Sequence, residues 1–472
     1  MSNFSGSRSE ATDKHSKCGD KPSKCGDEGT DGILVGKSSF SSLSIDLTKS
    51  LSKTDKKNQG IFFTPPTIVE KLVQECVKFA RPRSVATSLR SVAMREPTGD
   101  SEENNGTDVF ARVLEPSCGS GEFIRYIDSA FQGIRIDAVE QHPVIFHSVS
   151  TTLATKNAIR WTCADFIHFH PDATKYDLII GNPPYAVVGK DAVPEQYAEY
   201  MVGRPNLFGL FIVHSMSMLA PGGIMAFIVP KSFLNAGYYA GIRMYMKREG
   251  QIRNIVDFEA TGGFLETQQS TIGLVFQKHL AMNTATPVSD CPFSLRIGGK
   301  YVFSENADEL RALLAGSTTL QRLGLSVKTG NIVWNQKKEL LTDDARQTLL
   351  LYNSNITKDN TVRIMEFKND EKKQYIHMAG SREMVIVVNR GNGNSAYQHT
   401  YALVDGEVPY LAENHLNVIY SDRLVGEEKR AMFESIARSF ENPKTEQFIR
   451  TFLGNNGLSK TELETVFPIF RN

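Results

Sequence analysis

The sequence predicts an α/β protein with a Rossmann-like, doubly wound and mostly parallel sheet, followed by a second domain of mixed α+β structure. Between about residues 110 and 230, apolar runs of strand length alternate with segments of helical periodicity, as in repeated βαβ units. After about Gln277 the segments become shorter and this alternation is lost. We therefore expect a disordered tail over residues 1–50, a large domain over 51–285 and a smaller domain over 286–472.

The strands and helices of the large domain follow one another in a regular order. The turn at 62–66 precedes a helix with apolar residues at helical spacing, and a Gly-rich turn separates the first strand from the next helix. Ligands of such sheets bind at the carboxyl ends of the strands, so we expect the functional residues there. The predicted strands are 113–114, 134–140, 176–181 and 222–230, and the predicted helices are 68–76, 123–131 and 206–219.

Composition limits the class of protein. The formal net charge is zero, so a surface that binds nucleic acid must be a local patch. The six cysteines lack the spacing of a zinc site or a disulfide framework, and no metal site is predicted. The polar tail, with an imperfect repeat around Cys18 and Cys25, cannot bury a core. Because no apolar run reaches bilayer length and no signal peptide is recognisable, we expect an intracellular, cytoplasmic protein without a membrane segment.

A Gly-rich turn after the first strand predicts a ligand site. In the segment Glu115-Pro116-Ser117-Cys118-Gly119-Ser120-Gly121, the glycines let the backbone approach a ligand closely. The carboxylate of Glu115 favours a ligand with cationic or hydroxyl groups over a phosphate. The turn also lacks the G-x-G-x-x-G pattern and the lysine of phosphate-binding loops. Taken alone, such a turn could equally be a simple chain reversal.

Acidic residues also end the following strands. Glu140 is placed to accept both hydroxyls of a ribose, as in dinucleotide-binding folds. Asp165 is placed to accept a hydrogen bond from an adenine amino group, while the ring of Phe166 packs against the base. Since these acids and Glu115 end successive strands, a nucleoside-like cofactor is favoured over three unrelated surface carboxylates.

The tetrapeptide Asn182-Pro183-Pro184-Tyr185 directly follows the strand at 176–181. Asn182 offers a side-chain oxygen and the stiff Pro183-Pro184 backbone offers a carbonyl, so two acceptors could take both hydrogens of a planar amine. The amine nitrogen would be drawn toward a tetrahedral shape, and its lone pair could then attack an electrophilic methyl group. Adenine is the expected amine, with Tyr185 stacked on the base. A base in a duplex would have to be flipped out to reach this site.

These motifs, in this order, resemble the γ-class N6-adenine DNA methyltransferases of restriction–modification systems and some large viruses. The segment Gly60-Ile61-Phe62-Phe63-Thr64-Pro65 looks like the first cofactor motif of that family. It precedes the Gly-rich turn, Glu140, Asp165 and the tetrapeptide, and a C-terminal target-recognition domain follows. The resemblance covers about Asn58 to Asn472 and omits only the tail.

The resemblance implies S-adenosylmethionine as the cofactor and adenine N6 in double-stranded DNA as the methyl acceptor. We expect a monomer, with a cognate restriction endonuclease as a candidate partner, and a location in the host cytoplasm or nucleus if the protein is viral. In the family an aromatic residue stacks on the second face of the flipped adenine, and Phe264 is the best match. The implied catalytic residues are Asn182, Pro183, Pro184, Tyr185 and Phe264, and the implied cofactor-binding residues are Thr64, Pro65, Glu115, Pro116, Gly119, Gly121, Glu140, Asp165, Phe166 and Asn182.

Other functions stay open at this point. Enzymes that methylate a protein glutamine amide also use Asn-Pro-Pro-Tyr, and RNA methylation is a further option, but neither needs a large C-terminal domain. A further alternative is a non-catalytic DNA- or cofactor-binding module with a vestigial site, but the intact Asn182 and the intact Gly-rich turn argue against it. The chain could also be a combined methylase and endonuclease, but its sequence contains no convincing nuclease motif, since Glu366-Phe367-Lys368 is an isolated fragment. In the second domain, the residues that could read base edges or phosphates are Lys358, Arg382, Arg390, Asn353, Asn355, Asn389, Asn392 and Asn394.

Overall fold

A seven-stranded sheet forms the centre of the first half of the protein in the computed structural model. The structure describes residues 40–50, 63–81, 109–171, 174–258, 270–280, 292–391, 397–453 and 457–470. The strands of this sheet are β1 (Arg112–Glu115), β2 (Arg135–Glu140), β3 (Ala158–Cys163), β4 (Tyr176–Gly181), β5 (Leu219–Pro230), β6 (Gly250–Asp257) and β7 (Thr271–Lys278). Their order is β3-β2-β1-β4-β5-β7-β6, and the first five strands in this order are parallel. β7 is antiparallel to both of its neighbours. The predicted fold class, a mostly parallel α/β sheet, is confirmed.

Helices cover both faces of the sheet, as the alternation of the sequence predicts. Strand β5 shows this two-sided burial, because Met225, Phe227 and Val229 enter one apolar core whereas Ala226 and Ile228 enter the other. Among the described residues, no helix is long and apolar enough to span a membrane. The helices of the first half are α1 (Ser42–Ser50), α2 (Pro66–Phe79), α3 (Glu122–Ala130), α4 (Pro143–Thr152), α5 (Leu207–Met218) and α6 (Ala240–Glu249).

Helix α1 lies within the region that the sequence predicts to be a disordered tail, and for residues 40–50 that prediction is wrong. Leu47 and Ser44 of this helix are buried, which places an apolar and a polar side chain against the rest of the fold. Serine and lysine are common in disordered chains, so composition alone did not reveal the helix. Residues 1–39 of the predicted tail lie outside the described residues.

The second half of the described chain is built from short strands in separate sheets. A first sheet has the order β10-β17-β14-β15 and is antiparallel, and a second has the order β11-β13-β12-β16 and is mixed. A hairpin, β8-β9, precedes them. The proposed division of the chain near residue 285 stays a prediction. The strands are β8 (Ser294–Ile297), β9 (Lys300–Phe303), β10 (Ser326–Thr329), β11 (Leu341–Thr342), β12 (Thr348–Leu351), β13 (Tyr375–Ile376), β14 (Val385–Asn389), β15 (Tyr401–Val404), β16 (Tyr410–Ala412) and β17 (Leu416–Tyr420), and the helices are α7 (Ala307–Leu314), α8 (Gly426–Phe440), α9 (Pro443–Phe448) and α10 (Lys460–Thr465).

The two halves share buried contacts around one arginine. Arg243 of α6 has no exposed surface, and its guanidinium donates to the backbone oxygens of Tyr301 at 2.9 Å, Phe233 at 2.8 Å and Ala236 at 3.0 Å. Burial lowers the pKa of Arg243 to about 10, which still leaves the group charged at neutral pH. Because a buried guanidinium is costly unless its donors are paired, the hydrogen bond to the Tyr301 carbonyl holds the hairpin against α6.

Candidate functional site

The carboxyl ends of three neighbouring strands meet at one cavity. β1 ends at Glu115, β2 ends at Glu140, and β4 leads directly into Asn182. The space inside the cavity is about 610 Å³, a figure that includes its opening to solvent. Its walls combine predicted site residues with residues that the sequence did not single out. The lining residues are Phe63, Pro116, Ser117, Gly119, Glu140, Gln141, His142, Ile145, Ala164, Phe166, Asn182, Pro184 and Phe211.

The Gly-rich turn has a backbone conformation that explains its glycines. Gly119 and Gly121 have φ angles of +50° and +79°, which L side chains rarely adopt. A Cβ atom at Gly121 would also lie 2.9 Å from a methyl carbon of Val149. A Cβ atom at Gly119 would lie 3.5 Å from the ring of Phe63, at the cavity wall. The turn thus brings its backbone close to the cavity and starts helix α3 immediately afterwards.

Glu115 is a buried carboxylate at the inner end of this turn. It is 2% exposed, and its Oε2 atom is buried without a hydrogen-bond partner among the described residues. Burial raises the pKa of Glu115 well above its usual range, and the nearby carboxylates of Glu140 and Glu122 raise it further. A buried carboxylate oxygen without a donor is costly, so the site favours a ligand that brings a hydrogen-bond donor or a positive charge.

Glu140 is held in place by two backbone donors. The Gly119 amide donates to Oε2 at 2.9 Å, and the His142 amide donates to Oε1 at 2.8 Å. Burial raises the pKa of the Glu140 carboxyl, although these two amide donors act in the opposite direction. Each carboxylate oxygen has a second lone pair, so the fixed carboxylate can also accept from the two hydroxyls of a ribose.

Asp165 and Phe166 differ in how they meet the cavity. The ring of Phe166 is buried and lines the wall, 4.7 Å from the ring of Phe211. The Asp165 carboxylate caps a short 3-10 helix by accepting from the Ile167 amide at 3.0 Å, and it pairs with the imidazole of His168 at 3.1 Å. The predicted contact of Asp165 with an adenine amino group stays a prediction.

The tetrapeptide begins at the end of β4, beside the cavity, which Asn182 and Pro184 line. The Asn182 Nδ2 atom donates to Thr64 Oγ1 at 3.2 Å, and its Oδ1 atom accepts from the Tyr185 hydroxyl at 2.8 Å. The same hydroxyl lies 3.2 Å from the backbone oxygen of Ile228 in β5. Burial raises the pKa of the Tyr185 phenol, so it stays protonated and remains a donor.

Two polar contacts fix the backbone of the tetrapeptide. Ser117 of the Gly-rich turn donates to the backbone oxygen of Asn182 at 3.2 Å. Asn206, which caps helix α5, donates from its amide to the backbone oxygen of Tyr185 at 2.8 Å. The Gly-rich turn and the tetrapeptide are therefore joined directly by a hydrogen bond. Pro183 is buried, whereas Phe264, the predicted second stacking residue, lies outside the described residues.

Residues before the first cofactor motif also support the Gly-rich turn. The Ser44 hydroxyl of α1 lies 2.7 Å from the Ser120 hydroxyl and within hydrogen-bond distance of the Glu122 carboxylate. Ser41 donates to the same carboxylate from both its hydroxyl and its amide. Sequence reasoning missed these serines, since nothing in the pattern of residues 40–50 points to a partner that lies so far along the chain.

The residues of the second half that were expected to read DNA differ in burial and in hydrogen bonding. Asn355 is fully buried, and its amide bonds to Gln374 and to the backbone of Tyr352 and Arg363, so its predicted role in base reading is wrong. Lys358 is exposed. Arg382, Arg390 and Asn389 each donate to a backbone oxygen of this chain, and Asn353 is partly buried, whereas Asn392 and Asn394 lie outside the described residues.

The sequence is similar to known restriction-modification methylases. Residues 123–264 match the model of the Eco57I restriction-modification methylase family. The Type II methyltransferase M.CvrRI of Paramecium bursaria Chlorella virus XZ-6E is 25% identical over 441 residues, which cover 91% of this chain and 99% of the relative. Modification methylase CviBIII of Paramecium bursaria Chlorella virus NC1A is 24% identical, again over 91% of this chain and 99% of the relative. A Type II methyltransferase of Thermus thermophilus is 33% identical over 30% of this chain and 34% of the relative.

These matches confirm the predicted resemblance to restriction–modification methylases, and with it the predicted cofactor, S-adenosylmethionine. The site fits that molecule. Glu140 lines the cavity and suits the ribose hydroxyls, whereas Glu115, whose buried Oε2 atom would suit the amine donors of the methionine part, is not among the lining residues. The ring of Phe166 supplies an apolar wall for a flat base.

Proposed function

We propose that this chain, which carries an Eco57I-type restriction–modification methylase domain, methylates N6 of a flipped-out adenine at a specific sequence in duplex DNA. The observation that carries the proposal is the position of the Asn182 amide. It lies at the end of β4, on the wall of the cofactor cavity, so a base held by Asn182 is next to the methyl donor.

The tetrapeptide supplies the chemistry through hydrogen bonding. The Asn182 Oδ1 atom and the Pro183 carbonyl accept the two N6 hydrogens, which turns the nitrogen lone pair toward the methyl group. When bound, S-adenosylmethionine supplies an electrophilic methyl on a sulfonium. Asn182 and Pro183 would hold the amine while it accepts that methyl group, and one N6 proton would then leave to solvent. Neither acceptor has to take up that proton, which suits a site built on an amide and a backbone carbonyl.

We assign the remaining predicted residues to binding. Glu115, Gly119, Glu140 and Phe166 hold the cofactor by the contacts described above, and residues 286–472 read the DNA sequence. The full-length similarity to two viral methylases supports this division of labour, since it extends over 91% of the chain. A monomer acting on double-stranded DNA, with a separate cognate endonuclease, completes the proposal.

Methyl transfer by an Asn182→Ala variant tests the proposal directly. Purified wild type and variant are incubated with labelled S-adenosylmethionine and duplex DNA, and the DNA is digested to nucleosides for mass spectrometry. We expect N6-methyladenine from the wild type and a loss on the order of 10²–10³-fold or more in kcat for the variant. Cofactor affinity, measured by calorimetry, should stay within about twofold, because Glu115 and Glu140 are untouched.

The exposed Gln132 provides the matched control, since Gln132→Ala removes a side-chain amide that neither lines the cavity nor lies within residues 286–472, and it should keep full activity. Equal activity of Asn182→Ala and wild type would refute the mechanism. Label that enters RNA or a protein while duplex DNA stays unlabelled would refute the proposed substrate. Sequencing that detects methyladenine in the product identifies the target sequence.

A further inference from the structure

The side-chain amide of Asn182 is held at both ends by hydroxyl groups. Thr64 accepts from Nδ2 at 3.2 Å, and Tyr185 donates to Oδ1 at 2.8 Å. The two hydroxyls come from different parts of the chain, since Thr64 lies just before helix α2 and Tyr185 lies three residues after Asn182. An amide fixed at its nitrogen and its oxygen cannot rotate freely about its last side-chain bond.

Thr64 faces the amide of Asn182 rather than the cofactor cavity. It is 5% exposed, and its neighbour Phe63 lines the cavity whereas Thr64 does not. The family resemblance implied a cofactor contact for Thr64. That contact stays a prediction, and the hydrogen bond to Asn182 is a separate task of the Thr64 hydroxyl.

The Tyr185 hydroxyl has one proton, and among the described residues two acceptors lie within its reach. Oδ1 of Asn182 lies at 2.8 Å and the Ile228 backbone oxygen at 3.2 Å. When an amine donates to Oδ1, the phenol can turn its proton toward Ile228 without losing a partner. Oδ1 therefore keeps an acceptor site for the substrate while the amide plane stays fixed.

We propose that Thr64 and Tyr185 are positioning residues that fix the Asn182 amide for methyl transfer. The inference rests on the proposed function, because it concerns the acceptor of the substrate amine. An acceptor that can rotate loses alignment with the amine in the transition state, so kcat falls while binding of the cofactor does not.

Isosteric substitutions separate positioning from cofactor binding. Thr64→Val keeps the shape and removes the hydroxyl, and Thr64→Ser keeps the hydroxyl. We expect Thr64→Val to lower kcat by about tenfold, equivalent to one lost hydrogen bond, with the Kd of S-adenosylmethionine within about twofold of wild type. Thr64→Ser should restore most of the rate. Thr67→Val is the control, since Thr67 is exposed in the first turn of helix α2, which begins shortly after Thr64.

Tyr185→Phe provides a second test that does not depend on the folding of the Thr64 variants. It keeps the aromatic ring for stacking and removes only the hydroxyl, so we again expect a lower kcat at unchanged cofactor Kd. A raised cofactor Kd with unchanged kcat in Thr64→Val, or unchanged kinetics in both variants, would overturn the inference. If the wild type itself forms no methyladenine, the proposed function fails instead, so the two failures are distinguishable.

Discussion

His399 lies among aromatic rings in the second half of the chain, at a point that makes stability depend on pH. Its ring stacks on Phe467 at 5.1 Å and meets the edge of Phe440 at 4.8 Å. Although part of the residue is exposed, Nε2 is buried without a hydrogen-bond partner among the described residues, and Nδ1 lies 3.2 Å from the Tyr397 hydroxyl. Burial lowers the pKa of His399 to about 3, so the folded protein keeps this imidazole neutral.

The sign of the pH effect follows from proton uptake. An unfolded histidine titrates near its ordinary pKa of 6.5, so below that pH the unfolded chain binds a proton that the folded protein refuses. The stability contributed by neutral His399 is thus complete above pH 6.5 and is lost as the pH falls. At about 1.36 kcal/mol per pH unit, the loss between about pH 7 and pH 5 is about 2 kcal/mol.

The assay compares urea unfolding of the wild type and His399→Phe at about pH 7 and about pH 5. The chain has two tryptophans, so the substitution Trp161→Phe in both proteins leaves Trp334 in the second half as the fluorescence reporter. We expect the wild type to lose about 2 kcal/mol more than the variant on acidification, since other titrating groups act equally in both. Identical pH dependence in the two proteins would refute the burial argument.

Three further substitutions test contacts described above, each by urea unfolding against a matched control. Arg243→Met should lower the free energy of unfolding by about 3–5 kcal/mol because it leaves several buried carbonyls unpaired. Arg248→Met, at a side chain that is 58% exposed, should change that free energy little. Gly121→Ala should lower the free energy of unfolding more than Gly299→Ala does. Both glycines have φ near +80°, but only a Cβ atom at Gly121 would also contact Val149. Equal losses in the two variants would show that this contact relaxes. Ser44→Ala should cost about 1–2 kcal/mol and raise the Kd of S-adenosylmethionine a fewfold in calorimetry, whereas the exposed Ser42→Ala should change neither.

Much of the first half could be predicted because its strands are buried on both faces. A strand such as β5 then reads as a continuous apolar run, and the alternation with helices indicates a parallel sheet. The antiparallel insertion of β7 between β5 and β6 was not predicted, since periodicity identifies strands but not their neighbours. In the second half, strands of two to five residues contain too few positions for a period, and β10 pairs with the distant β17.

Some residues of the candidate site could likewise be predicted from the sequence, and others could not. Glu115, Glu140 and Asn182 could be found because each ends or directly follows a strand, and strand ends meet at one edge of a parallel sheet. Ser44 could not, because its role depends on a contact with a distant turn. Asn355 was misassigned because a polar residue in an irregular segment suggests exposure, whereas this amide is the centre of a buried network.

The hairpin β8-β9 has a consequence for how this kind of protein can change by recombination. Tyr301 and Phe303 pack in the core beside β5, whereas Leu295 and Ile297 pack in the core beside α8. A crossover near residue 285 would pair a foreign hairpin with the native α6 and Arg243. A crossover after Phe303 would instead pair the native hairpin with a foreign second core. Neither junction leaves both cores with their native partners, so a functional exchange of the C-terminal half has to carry compensating changes in α6 for the first junction, or in the second core for the later one.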